Sequence, residues 1–130
     1  MSQGPAILVV DDSSTMRNLI AFHLSKQGFR VTGVAGSRDA LEYCRESLPD
    51  VVIMDLELDG ESGLDLMRRF QQDPVLIQVP IIACSGNTDP SLRQLVLNSG
   101  ARKYLVKDHS MRNEIVDAIQ NVLAVPCSSR

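Results

Sequence analysis

The sequence predicts an α/β domain: five βα units wound into one parallel sheet, with helices on both faces. Three observations carry that prediction. Short apolar runs alternate with amphipathic stretches along the 130 residues. The first, third and fourth runs are nearly continuously apolar, as strands covered by helices on both faces must be. Right-handed crossovers through the amphipathic stretches then make the sheet parallel and doubly wound.

The elements follow in order. Ile7-Leu8-Val9-Val10 is the first strand, and Met16, Leu19, Ile20, His23 and Leu24 recur at helical spacing after it. Ser13 or Ser14 can cap that helix, and Gly28 can stop it. A weaker strand runs from Arg30 to Val34 and breaks at Gly36. The second helix follows Ser37, turns Ala40, Leu41, Cys44 and Leu48 inward, and ends at Pro49. Val51-Val52-Ile53-Met54 is the third strand, and a polar loop with Gly60 and Gly63 leads into a helix carrying Leu64, Leu66, Met67 and Phe70. Pro80 opens the fourth strand, Ile81-Ile82-Ala83-Cys84. A helix with Leu92, Leu95 and Val96 follows and stops at Gly100. Lys103 to Val106 is the fifth strand, and Met111, Ile115, Ala118, Ile119, Val122 and Leu123 mark the last helix. The expected organisation is one domain over 1–130, with a core at about 6–123 and a short flexible tail at 124–130.

Composition narrows the function. Hydrophobic residues form 44% of the chain, yet it has three Phe, two Tyr and no Trp, so the core is aliphatic. A net charge of −3 argues against nucleic-acid binding, which needs basic residues to neutralise phosphates. No apolar run reaches the roughly 18–20 residues of a membrane span, and the N-terminus does not read as a signal peptide. The expectation is a cytoplasmic protein without a membrane or nucleic-acid partner. Cys44, Cys84 and Cys127 are odd in number and widely spaced. Cys44 and Cys84 read as small buried hydrophobes, and Cys127 as an exposed tail residue. His23 and His109 have no partners at metal-ligand spacing, and His23 reads as a packing residue.

In an open parallel sheet the functional site lies beyond the carboxyl ends of the strands. Asp11 and Asp12 follow the first strand, Asp55 the third, Ser85 the fourth and Lys107 the fifth. Each alone has an ordinary reading as a turn, cap or surface residue. Together they bring three carboxylates, a hydroxyl and an amine to one edge. Crowded carboxylates raise one another's pKa values unless a cation intervenes. Mg²⁺, which takes carboxylates, water and phosphate oxygens, suits the cluster, and Mn²⁺ could replace it. One carboxylate could then attack phosphorus, with the ion and Lys107 neutralising the equatorial oxygens and Ser85 hydrogen-bonding one of them.

The motifs VVDDS (9–13), IMDLEL (53–58), ACSG (83–86) and GARKYLVK (100–107) resemble the bacterial response-regulator receiver family from about Ala6 to Leu123. That resemblance implies a flavodoxin-like, five-stranded sheet in the order 2-1-3-4-5. It makes Asp55 the phosphoacceptor, supplied by a sensor histidine kinase or a histidine phosphotransfer protein. Asp12, Asp55 and the backbone carbonyl of Glu57 would bind Mg²⁺, with Asp11 holding it through water. Lys107 and Ser85 would contact the phosphoryl group, and Tyr104 matches an aromatic that turns inward when the hydroxyl moves toward the phosphate. Glu57 and Asn87 occupy positions that tune the phosphoryl lifetime. The expected output is a rearranged surface of the fourth helix, fifth strand and last helix, presented to a downstream protein by a monomer or a weak, phosphorylation-dependent dimer. The chain would be a signalling phosphoacceptor of the chemotaxis type or a relay intermediate, and not an enzyme beyond its own phosphorylation and dephosphorylation.

Two positions depart from the family pattern. Asp108 follows Lys107 where proline is usual; a cis bond there costs about 2.5–4 kcal/mol without proline, so Lys107–Asp108 is expected trans. Asp108 is expected to cap the last helix. Asp59 stands where the loop after Asp55 usually carries proline, which predicts a less rigid, more acidic loop. DLELDG at 55–60 resembles the start of an EF-hand, but its twelfth position is Leu66, which breaks the pattern. The alternatives are a scaffold of the same fold that is not phosphorylated, and a receiver excised from a larger regulator. A dehalogenase-like phosphatase fails because Asp11 and Asp12 are adjacent. A flavodoxin-like cofactor site fails because acids stand where a phosphate loop should be.

Overall fold

The computed structural model describes residues 4–108 and 110–124, so His109 and Cys127 lie outside the described residues. Five strands form one parallel sheet: β1 (Ala6–Val10), β2 (Arg30–Val34), β3 (Val51–Asp55), β4 (Ile81–Ser85) and β5 (Lys103–Val106), in the order 2-1-3-4-5. The helices are α1 (Ser14–Lys26), α2 (Ser37–Glu46), α3 (Gly63–Gln72), α4 (Pro90–Asn98) and α5 (Met111–Ala124). The expected fold class and order hold.

Alternation along the strands builds two separate aliphatic layers. Leu8, Val10, Val52, Met54, Ile81 and Ala83 point to one face and pack with Ala40, Leu66, Met67, Phe70 and Val96 from α2, α3 and α4. Ile7, Val9, Val51, Ile53, Ile82 and Cys84 point to the other and meet Ile20, Leu24, Ile115 and Ile119 from α1 and α5. Cys44 and Cys84 are buried free thiols, and burial pushes them up to about 11 and about 12, so both stay protonated at neutral pH.

Helix ends follow local chemistry. Ser13 rather than Ser14 caps α1, its Oγ accepting from the Met16 N–H at 3.2 Å. Gly28 closes α1 at φ +95°, a conformation open to glycine and strained for other residues. Asp89 caps α4, with Pro90 in its first turn.

The inward stripes are narrower than helical spacing suggests. Leu19 and Leu95 are exposed, and Leu48 is exposed because α2 ends at Glu46 rather than at Pro49. Leu123 also lies at the surface. A short helix lying on a sheet touches it along only part of its circumference, so flanking apolar positions face solvent. The loop after β3 is also more ordered than a polar loop: Glu57–Leu58 and Glu61–Ser62 pair as a small antiparallel ribbon. Leu56 and Leu58 are buried beneath it, while Gly60 makes its turn at φ +73°.

Candidate functional site

The register sets Asp55 level with Cys84, and Cys84 level with Leu105, so the chain leaves β3, β4 and β5 at a common edge. The Lys107 N–H extends that ladder, donating to the Ser85 carbonyl at 2.9 Å. The Lys107–Asp108 peptide is trans, as expected. Without proline, the ammonium still reaches the centre of the edge: Lys107 Nζ donates to Asp55 Oδ2 at 2.8 Å and to Asp11 Oδ2 at 3.0 Å. Asp108 organises the entry to α5, its Oδ1 accepting from the Ser110 N–H at 2.9 Å and the Ser110 hydroxyl at 2.7 Å.

Asp11 is 2% exposed and Asp55 3%, whereas Asp12 is exposed. Asp11 Oδ1 accepts from the Ser13 N–H at 2.9 Å, and its carbonyl accepts from Arg17 Nη1 at 2.7 Å. No sequence motif pointed to Arg17. It reaches back from α1 over Gly33, where a Cβ would come within 3.1 Å of Arg17 Cδ. Asp55 Oδ1 accepts from the Glu57 N–H at 3.0 Å. Gly63 lets α3 start directly against β3, since a Cβ there would lie 2.1 Å from the Asp55 carbonyl oxygen.

Burial pushes the Asp55 carboxyl above its usual range, outweighing the hydrogen bonds from Lys107 and the Glu57 amide that pull it down. Burial alone would lower Lys107, but its bonds to Asp55 and Asp11 prevail and hold the ammonium above its ordinary value. The site therefore concentrates charge in a dry edge and balances it with one cation.

Ligand oxygens of Asp11, Asp12 and Asp55 lie within 4.8 Å of one another. An all-oxygen set suits a hard divalent cation, and the Lys107 ammonium bridging Asp11 and Asp55 marks this as a place that draws positive charge.

The remaining expected residues form a second line behind the carboxylates. Ser85 is fully buried; its hydroxyl donates to Glu57 Oε2, and its Oγ accepts from the Asn87 N–H at 3.0 Å. The Asn87 side-chain oxygen accepts from the Asp89 N–H at 2.8 Å, so that side chain shapes the turn into α4. Tyr104 is 5% exposed and inward, its hydroxyl donating to the Asn87 carbonyl at 2.7 Å. Arg93 from α4 lies over the ring, 5.8 Å from its centroid. Glu61, which no motif singled out, ties the ribbon to the start of α2. Its carboxylate accepts the Ser37 N–H at 3.0 Å and the Ser37 hydroxyl.

Known proteins resemble this chain in sequence and in fold. The chain is 32% identical over 114 residues to the transcriptional regulatory protein AfsQ1 of Streptomyces coelicolor, covering 88% of this chain and 48% of that protein. It is 36% identical over 106 residues to the phosphate regulon transcriptional regulatory protein PhoB of Rhizobium meliloti, covering 82% and 47%. The chain thus spans about half the length of these curated relatives. Among solved structures, a response regulator from Chloroflexus aurantiacus superposes with a TM-score of 0.86 at 30% identity, covering 94% of this chain and 99% of that one. The receiver domain of the Pseudomonas aeruginosa sensor histidine kinase PA1611, with magnesium coordinated in its active-site cleft, gives 0.83 at 29% identity, covering 94% and 99%. The family profile described as the response regulator receiver domain matches residues 7–120. A match running from β1 into α5 takes in every strand end that builds the cluster, and the chain belongs to the response regulator receiver domain family.

Proposed function

We propose that this chain is a phosphoacceptor: Asp55 takes a phosphoryl group from a histidine of a sensor kinase or phosphotransfer protein and signals through a change at the α4, β5 and α5 surface. The observation that carries the reading is the buried Asp55 carboxylate held by a cation from a neighbouring strand end, with Lys107 Nζ at 2.8 Å.

Asp55 supplies the nucleophile. An Asp55 oxygen bonds to phosphorus as the phosphorus–nitrogen bond of the donor breaks, and the imidazole nitrogen keeps the electron pair. Lys107, already bound to Asp55, neutralises charge on the equatorial oxygens without having to move into the site. Arg17 and the Ser13 amide hold Asp11 in place at the rim. Asp11, Asp12, Asp55 and the Glu57 carbonyl would hold Mg²⁺, which neutralises charge on the phosphoryl oxygens when bound. A groove of about 550 Å³ lined by Met16, Leu19, Ile20, Lys107 and Met111 gives a partner a footing beside the acceptor. Output passes to a downstream protein, and the chain turns over nothing but its own phosphoryl group. Among the described residues no helix is long and apolar enough to cross a membrane, and we place the domain in the cytoplasm with its kinase.

The test is intact-mass measurement after incubation with acetyl phosphate and Mg²⁺. One phosphoryl group should be gained, lost in Asp55→Asn and lost when a chelator removes the metal. A wild-type protein that gains nothing would sink the proposal.

A further inference from the structure

The Ser85 hydroxyl has one proton, and it is donated to the Glu57 carboxylate. It can satisfy one strong acceptor at a time. The same oxygen accepts the Asn87 N–H, and the Asn87 carbonyl accepts the Tyr104 hydroxyl. A continuous chain of hydrogen bonds therefore runs from Glu57 on the ribbon, through Ser85 at the end of β4 and the backbone of Asn87, to Tyr104 on β5. Ser85 is fully buried and Tyr104 nearly so, which makes each bond costly to leave unmade. Glu57 is itself exposed and reaches in from a ribbon held at its other strand by the Glu61–Ser37 bonds. Its side chain can thus swing out without opening the core.

We propose that the Glu57 carboxylate is a positioning residue that occupies the Ser85 hydroxyl, sets the Asn87–Tyr104 bond through it, and competes with a phosphoryl group on Asp55 for the same proton. The competition deepens the phosphoacceptor reading and rests on it; the hold on Ser85 and Tyr104 does not. Phosphorylation must transfer the hydroxyl from one anion to another, and the two anions repel, so Glu57 gives way as the phosphoryl group arrives. Glu57→Ala keeps the backbone carbonyl and frees the proton. Glu57→Gln keeps an acceptor oxygen and removes the charge.

Two measurements test this. The first follows the ring of Tyr104 by fluorine resonance in 3-fluorotyrosine protein, with Tyr43→Phe to assign the signal and no phosphoryl donor present. Glu57→Ala and Ser85→Ala should each shift the resonance, the double variant should shift it no further, and Glu57→Gln should restore the wild-type position. An unchanged resonance in Glu57→Ala overturns the positioning role. The second is the rate of Asp55 phosphorylation by acetyl phosphate with Mg²⁺. Glu57→Ala should be faster by about fivefold in the native background and by less than about twofold in Ser85→Ala, because contacting residues are non-additive. Equal acceleration in both backgrounds would mean that only a repelling charge was removed, and would overturn the competition. If no variant, wild type included, gains a phosphoryl group, the phosphoacceptor reading and the competition fail together. A resonance that still moves in Glu57→Ala would then establish the positioning role by itself.

Discussion

Two aspartates bracket the central strand, and they are satisfied in opposite ways. Asp50, at the entry to β3, accepts the Ala6 N–H at 2.7 Å on its carboxylate, while its own N–H donates to the Ala6 carbonyl at 2.7 Å. It is exposed, and backbone groups of the adjoining strand answer it. Asp55, at the exit, is buried and shares an ammonium from β5 with Asp11 from β1. The first closes a turn; the second stores charge that the fold must balance from a distance. The difference marks the reactive end of the sheet. A carboxylate answered by neighbouring backbone is spent on structure, whereas one answered by a side chain that could equally serve a phosphoryl oxygen remains available for chemistry.

The largest expected effect comes from crowding the strand exit. Gly63→Ala drives a methyl against the Asp55 carbonyl and the Leu56 backbone, neither of which can yield. The expected cost is about 2–3 kcal/mol in urea unfolding, with phosphorylation of Asp55 impaired as β3 and α3 separate. Next comes Lys107→Met, which leaves Asp11 and Asp55 facing one another across a dry edge. A loss of about 2 kcal/mol is expected, below the range for a fully buried pair because the Lys107 side chain is itself 17% exposed. Phosphoryl transfer from acetyl phosphate should also fall. No change in stability on losing Lys107 would erase the contrast between the two aspartates.

The contrast was half legible in the sequence. Strands β1, β3 and β4 stand out because burial on both faces demands unbroken apolar runs, and the residue after each run must lie at the carboxyl edge. That rule alone puts Asp11, Asp55, Ser85 and Lys107 at one edge of the sheet. Bonds set by approach in space left no such trace. Glu57 meets Ser85 across 28 positions and Glu61 meets Ser37 across 24, and nothing in the spacing of DLELDGES marks either pair. The Leu56–Leu58 alternation followed by Gly60 was the one available sign of the ribbon. Leu19 and Leu95 share the helical spacing yet face solvent, because helical period locates a stripe but not how much of it the sheet covers.

The two smallest effects separate the aspartates by sign. Asp50→Ala leaves the Ala6 N–H without its acceptor and should cost about 1 kcal/mol in urea unfolding. Asp55→Asn should do the reverse and stabilise the chain at neutral pH, by less than the Asp50→Ala loss. Burial holds the native Asp55 carboxyl above its usual value, so the folded state binds that proton more tightly than the unfolded chain does. Wild-type stability from this group is therefore lost as pH rises from the unfolded value of about 3.9 through the higher native one, and is not regained above it. Asparagine carries no such proton. The advantage of Asp55→Asn should vanish at about pH 3, grow across that window and then level off, with Lys107 still bound to Asp11 throughout. Urea midpoints of the two proteins from pH 3 to 8 check it. An advantage that shrinks as pH rises would mean that the Lys107 bond outweighs burial at Asp55, and that this aspartate, like Asp50, is held for stability.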